Sequence, residues 1–253
     1  MNRVKYPVVP ATPQPWSRPF SAAKRSIAQT TRAIPALLVA GFGFLVALPA
    51  ASAAEAESVW RLGDARMPEL WHPQVLGAPA AVEEPAVGRV MRFNGREDAF
   101  LLPAIPFAGW GAFTIQVLFK PEAGGLPEQR FFHAEDAKGS RVMIETRLTP
   151  DNQWYLDTFM LSGASNRVLV DKTKLHPADR WYWVALRYDG KQMASFVDGA
   201  PELSGPVAFA PMAEGKLSLG VRQNRVFWFK GAVKEVRFTP EALAPGKLQA
   251  TAR

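Results

Sequence analysis

The sequence predicts an all-β protein, about a dozen short antiparallel strands arranged as a sandwich or barrel. Residues 181–199 read as two strands joined by Asp189-Gly190 and closed by a second such pair, Asp198-Gly199. An Asp-Gly pair between alternating runs is a strong hairpin signal, because both residues tolerate the positive φ of a type I′ turn. Residues 112–119 set Phe113, Ile115, Val117 and Phe119 on one face, a period of two held over the whole run. Turn residues recur throughout, and no segment carries the i, i+3, i+4 repeat of an amphipathic helix. Strands that alternate in this way find shelter only between stacked layers.

Taken in order, residues 58–62 form an opening strand. Residues 63–87 contain Pro68, Pro73, Pro79 and Pro85 with no sustained period and read as a long surface excursion. Residues 89–93 and 99–102 read as a hairpin around Asn94-Gly95, ended by Pro103 and Pro106. After the strand at 112–119, shorter strands are expected at 130–134, 141–147, 153–160 and 167–170. On the hairpin at 181–199, Met193, Ser195 and Val197 oppose Gln192, Ala194 and Phe196, so both faces are half apolar, as in a strand covered on both sides. Strands follow at 216–221, 226–229 and 232–238, and Pro240 with Glu241 can open a short helical turn.

The 253 residues are 48% hydrophobic, which permits a sizeable core. The net charge of +7 suggests an anionic partner until the charges are located. Six of the thirty basic residues precede Ala54, where there is no acid, leaving 24 against 23 and a net of +1. The basic character belongs to the leader, and nucleic acid loses its support as a partner. Basic residues up to Arg32, an uncharged run over 33–48 and the small-residue patch Ala51-Ser52-Ala53 have the order of a secretory signal cut after Ala53. The expected location is secreted or periplasmic. The alternative is an uncut membrane anchor, since 33–54 is 22 uncharged residues long. There is no cysteine, so an exported domain here relies on burial alone. The organisation expected is a leader at 1–53, an opening strand and Pro-rich loop at 54–87, a main domain at 88–243 and a tail at 244–253.

Five landmarks occur in order: Arg92-Phe93-Asn94-Gly95 through Leu102, residues 113–121, residues 181–199, Leu219-Gly220, and Phe229-Lys230-Gly231 through Phe238 and Leu243. Together they resemble laminin G-like domains of the concanavalin A-like lectin/glucanase superfamily. The resemblance covers residues 88–243 and implies a two-sheet antiparallel jelly-roll sandwich whose concave sheet and rim loops form the usual ligand surface. Lys234 stands where many relatives carry an acid. The superfamily spans lectins, adhesion modules, glycosidases and lyases, so fold alone does not decide function.

A glycosidase needs two carboxyls flanking the scissile bond. No strand here carries acids at i and i+2: Glu97-Asp98 and Glu135-Asp136 are adjacent and point apart, and Glu145 and Asp157 each stand alone. The expectation is therefore a non-catalytic module that binds a glycan or an envelope or extracellular protein. A polysaccharide-degrading enzyme with acids gathered from separate strands, and a structural protein-interaction module, are the alternatives. Trp154, Tyr155, Trp183 and Trp228 are candidates for a stacking platform under sugar rings, with Arg187 beside Trp183 for an acidic or hydroxylated ligand. Packing is the competing role, and it is expected for Trp181 and Phe196. His133 and Glu135 share a strand face and could hold a cation, with a solvated or hydrogen-bonded pair as the favoured reading. Calcium, if a cofactor binds, would use oxygen ligands such as Asp98, Asp136 and Asp198, although Asp198 beside Gly199 also simply completes a turn.

Overall fold

The computed structural model describes residues 57–64 and 72–251. The expected leader and cleavage site lie outside them. All sixteen strands among the described residues pair antiparallel, in two sheets of eight. The first sheet holds β1 (Ser58–Arg61), β3 (Ala80–Glu84), β4 (Gly88–Asn94), β6 (Phe113–Pro121), β12 (Tyr182–Tyr188), β13 (Gln192–Val197), β14 (Ala200–Pro206) and β16 (Lys230–Thr239). Its order is β14-β13-β12-β6-β16-β4-β3, with β1 also on β16. The second holds β2 (Gln74–Leu76), β5 (Ala99–Leu102), β7 (Glu128–Asp136), β8 (Arg141–Leu148), β9 (Gln153–Ser162), β10 (Ser165–Val170), β11 (His176–Pro177) and β15 (Gly215–Leu219). Its order is β10-β9-β8-β7-β15-β5-β2, with β11 on β9. This is the expected two-layer jelly roll.

The core lies between the layers and is unusually aromatic. Phe113, Ile115, Val117 and Phe119 all enter it, as their spacing requires. Phe119 of the first sheet stacks on Phe131 of the second with ring centroids 4.5 Å apart. Phe107, from the loop after β5, packs on Phe113, Phe132 and Phe238 and joins both layers at one end. Each buried ring of this size contributes roughly 1.5–3 kcal/mol by leaving water, so a chain without disulfides has ample stabilisation.

Several local expectations change. Residues 63–87 contain two strands, β2 and β3, which are edge strands too short and too exposed to show a period. The Asn94-Gly95 segment is not a hairpin turn, because β4 and β5 belong to different sheets. Asn94 Oδ1 instead accepts backbone N–H bonds from Arg96, Glu97 and Asp98, curling the chain across the sandwich. Residues 226–229 are irregular, and β14 adds a strand where none was expected. The helical turn is a single 3-10 turn at Pro245–Lys247, a few residues later than Pro240. The hairpin expected at 181–199 is β12–β13, with β12 central between β6 and β13. Its Asp189-Gly190 connection is not type I′: only Gly190 has positive φ, and the Asp189 carboxylate accepts the N–H groups of Lys191 and Gln192. The type I′ signature sits at the next turn, where Asp198 (φ 48°) and Gly199 (φ 74°) link paired Val197 and Ala200.

Candidate functional site

The outer face of the first sheet is partly covered by the chain itself, which leaves a recess of about 560 Å³ lined by Gln116, Arg237, Leu243 and Gln249. Trp183, Ala185 and Arg187 point outward from β12, opposite core-facing Val184 and Leu186. Over them run residues 241–251. Leu248 packs on the cluster of Ala185, Ala194 and Phe196. The Thr114 hydroxyl donates to Glu241 O and accepts from Leu243 N–H, and Gln116 Oε1 accepts from Gln249 N–H. Arg187 donates to Leu243 O at 3.3 Å and Asp198 accepts from Trp183 and Thr251 N–H. Arg237 lies over the Trp183 ring at 5.5 Å. Thr114, Gln116, Arg187 and Asp198 thus fasten a strap to the sheet, and Trp183, beneath Arg237, is 8% exposed.

The outer face of the second sheet is charged. Register places Glu145 of β8 directly between Arg130 of β7 and Asp157 of β9. Arg130 Nε donates to Glu145 Oε1 at 2.7 Å, and Arg147 reaches Asp157 Oδ2 and Glu128 Oε1, each at 2.6 Å. The sequence reading that Glu145 and Asp157 stand alone is corrected here, because strand pairing brings them face to face. They are not free for chemistry: both are buried and each carboxylate is held by a guanidinium. Burial pushes the Glu145 carboxyl up to about 7, opposed by Arg130, and raises Asp157 as well.

Beside this lattice lies a groove of about 650 Å³, floored by His133, Glu135, Arg141 and Lys216 and walled by Arg222 and Gln223. The wall is the β15–β16 connection. Its shape depends on two non-glycine residues in the left-handed region, Arg225 (φ 61°) and Phe227 (φ 62°), and such strain gathers at functional sites. Gln223 N–H donates to His133 Nδ1 at 3.0 Å, and its side-chain amide donates to His133 O. Phe227 lies under the Arg130 guanidinium at 3.9 Å, and its carbonyl accepts Arg130 N–H. Because Nδ1 accepts, the neutral ring carries its proton on Nε2, 3.5 Å from Glu135 Oε2. His133 and Glu135 share one face, as expected. Burial, with Arg222, Arg141 and Arg130 nearby, depresses His133 to about 3, so it stays neutral.

The five ligand candidates from the sequence are not brought together. Trp154 is fully buried in the core, edge-on to Phe119 and Tyr182. Tyr155 is half-buried opposite Arg147, outside the groove lining. Trp228 is half-buried in the β15–β16 connection and does not line the groove. Phe196 is buried as expected, but Trp181 is only half-buried, with Lys120 Nζ 5.6 Å from its ring. Asp98, Asp136 and Asp198 each organise backbone. Asp98 accepts from Ala78 and Asn94 N–H, and Asp136 from Lys138, Ser140 and Ala213 N–H. Among the described residues no group of three or more His, Asp or Glu side chains converges where a metal ion can be held. Sequence reasoning missed Arg222, Gln223 and Arg141; the one available signal was the His133/Glu135 alternation that floors the groove.

Residues 94–249 match the Laminin G 3 family model, described as Concanavalin A-like lectin/glucanases superfamily. The chain belongs to that superfamily. Solved structures share the fold at low identity. Domain 4 of AbnA, a GH43 extracellular arabinanase from Geobacillus stearothermophilus solved with arabinotriose, is 20% identical with a TM-score of 0.51, over 76% of this chain and 85% of that one. The binding domain of botulinum neurotoxin DC, solved with SialylT, is 10% identical with a TM-score of 0.52, over 70% of this chain and 44% of that one. The binding domain of Paraclostridial Mosquitocidal Protein 1 is 11% identical with a TM-score of 0.51, over 70% and 46%. This chain spans under half the length of those two toxin domains. No curated protein matches the sequence.

Proposed function

We propose that this chain is an exported, non-catalytic module that binds a glycan in the groove over β7, β8 and β15. The observation that carries the reading is the contrast between the two outer faces. One is crossed by residues 241–251, which cover Ala185 and Phe196 and themselves line much of its recess of about 560 Å³, while the other offers an uncrossed recess of about 650 Å³ beside a rigid charge lattice. Recesses of that size with a few convergent polar groups are the usual form of a small-ligand site. Superfamily membership supports the reading, as does the fold shared with an arabinanase domain that holds arabinotriose. The non-catalytic half rests on engaged carboxylates: the Glu145 and Asp157 side chains are 2% and 5% exposed and bound to arginines, and of the three that line the groove Glu135 is paired with Arg141 and Asp136 with backbone N–H groups, leaving Glu214. Export rests on the leader ahead of Ala54.

A glycan array probed with the chain following Ala53 tests this. Selective binding that survives a calcium chelator is expected, because Asp98, Asp136 and Asp198 are occupied by backbone N–H groups. A blank array, or hydrolysis of a bound polysaccharide, would remove the proposal.

A further inference from the structure

Around the groove, the three strand arginines are each paired with carboxylates, Arg130 and Arg147 with more than one, whereas Arg222 forms no such pair. Arg130 holds Glu145 at 2.7 Å, Arg147 holds Asp157 at 2.6 Å, and Arg141 holds Glu135 at 3.2 Å. Among the described residues, Arg222 in the groove wall has no hydrogen-bonded acceptor or ion-pair partner for its guanidinium, although it is half-buried. Burial first, then the charges of Arg130 and Arg141, lower its pKa, against a smaller opposing pull from Glu145 and Glu135. A half-buried guanidinium in a recess with no hydrogen-bonded partner of its own favours an anion that can pair with it.

The side chain springs from fixed backbone. Arg222 N–H donates to Val226 O, Arg225 N–H donates to Arg222 O, and the next residue is pinned to His133 by two hydrogen bonds. Holding the base of the side chain in this way lowers the ordering cost of binding. Of the carboxylates that line the groove, Glu135 is paired with Arg141 and Asp136 accepts backbone N–H groups, and Glu214 stands in the lining with them. The planar fork of a guanidinium matches the two oxygens of a carboxylate.

We infer that the groove takes an acidic sugar, with the ring in the recess and its carboxylate on Arg222. This rests on the glycan reading above and narrows it to uronate-type ligands. The test is an NMR titration of the ¹⁵N-labelled chain with sodium glucuronate and, separately, glucose at constant ionic strength. Glucuronate is expected to shift the Arg222 Nε–H resonance and the Gln223 and Asn224 amides, with glucose far weaker. Arg222→Gln is expected to weaken the glucuronate response about tenfold or more, the loss of a charge-assisted pair. Arg222→Lys should recover part of it, and the remaining amide spectrum should be unchanged. Equal shifts with both sugars, or an unaltered glucuronate response in Arg222→Gln, overturn the acidic-sugar inference and leave the glycan groove standing. If neither sugar moves any groove resonance, both fall.

Discussion

His133 and Glu145 sit on neighbouring strands and titrate in opposite senses. The His133 folded pKa is depressed to about 3 from 6.5, so its stabilisation is present above pH 6.5 and is lost as pH falls toward 3. Glu145 is raised to about 7 from 4.5, so its stabilisation is present below pH 4.5 and is lost as pH rises through 7. Between about pH 4.5 and 6.5 the two slopes, each at most ~1.4 kcal/mol per pH unit, oppose one another. Urea denaturation across that window should show a shallow wild-type profile, a steeper gain toward neutrality in Glu145→Gln, and a decline with rising pH in His133→Gln. Arg130→Ala should cost about 1–3 kcal/mol in lost hydrogen bonds and push the Glu145 carboxyl further up, so that it is neutral at pH 7 with Arg147 still 3.5 Å away. None of this cluster was legible from one strand at a time. Arg130, Glu145 and Asp157 lie far apart in sequence, and only the β7–β8–β9 register places them side by side.

At the level of elements, the strap over β12 and β13 is the contact most open to trial. Phe196→Ala should destabilise by about 3–5 kcal/mol and Leu248→Ala by roughly 1–2, since Leu248 is only partly buried. Both are measurable as a drop in the denaturation midpoint. Because the strap lies on the other sheet from the groove, neither change should alter ligand affinity. The hairpin itself was readable, because its alternation and turn residues are local. The sheet change at Asn94 was not: an Asn-Gly pair suits a tight turn, and only the Asn94 and Asp98 side-chain bonds to backbone bend it into a crossing. The β15–β16 connection was hidden for a related reason. Residues 221–229 have no period, and their shape depends on Arg130 and His133 from a distant part of the chain.

At the level of the whole molecule, β1 pairs with β16, matching Ser58 to Phe238 and Arg61 to Glu235. The earliest described strand is therefore stitched to the latest, and most of the domain must be synthesised before that seam can form. Loop-closure entropy over such a span makes assembly slow, and stopped-flow refolding should fall in the millisecond-to-second range of non-local β proteins. Until Glu235 to Phe238 arrive, Trp60 has no ring of Phe238 to lie against. A nascent chain would keep that indole on display, a natural handle for a holding chaperone during the interval before the seam is sewn.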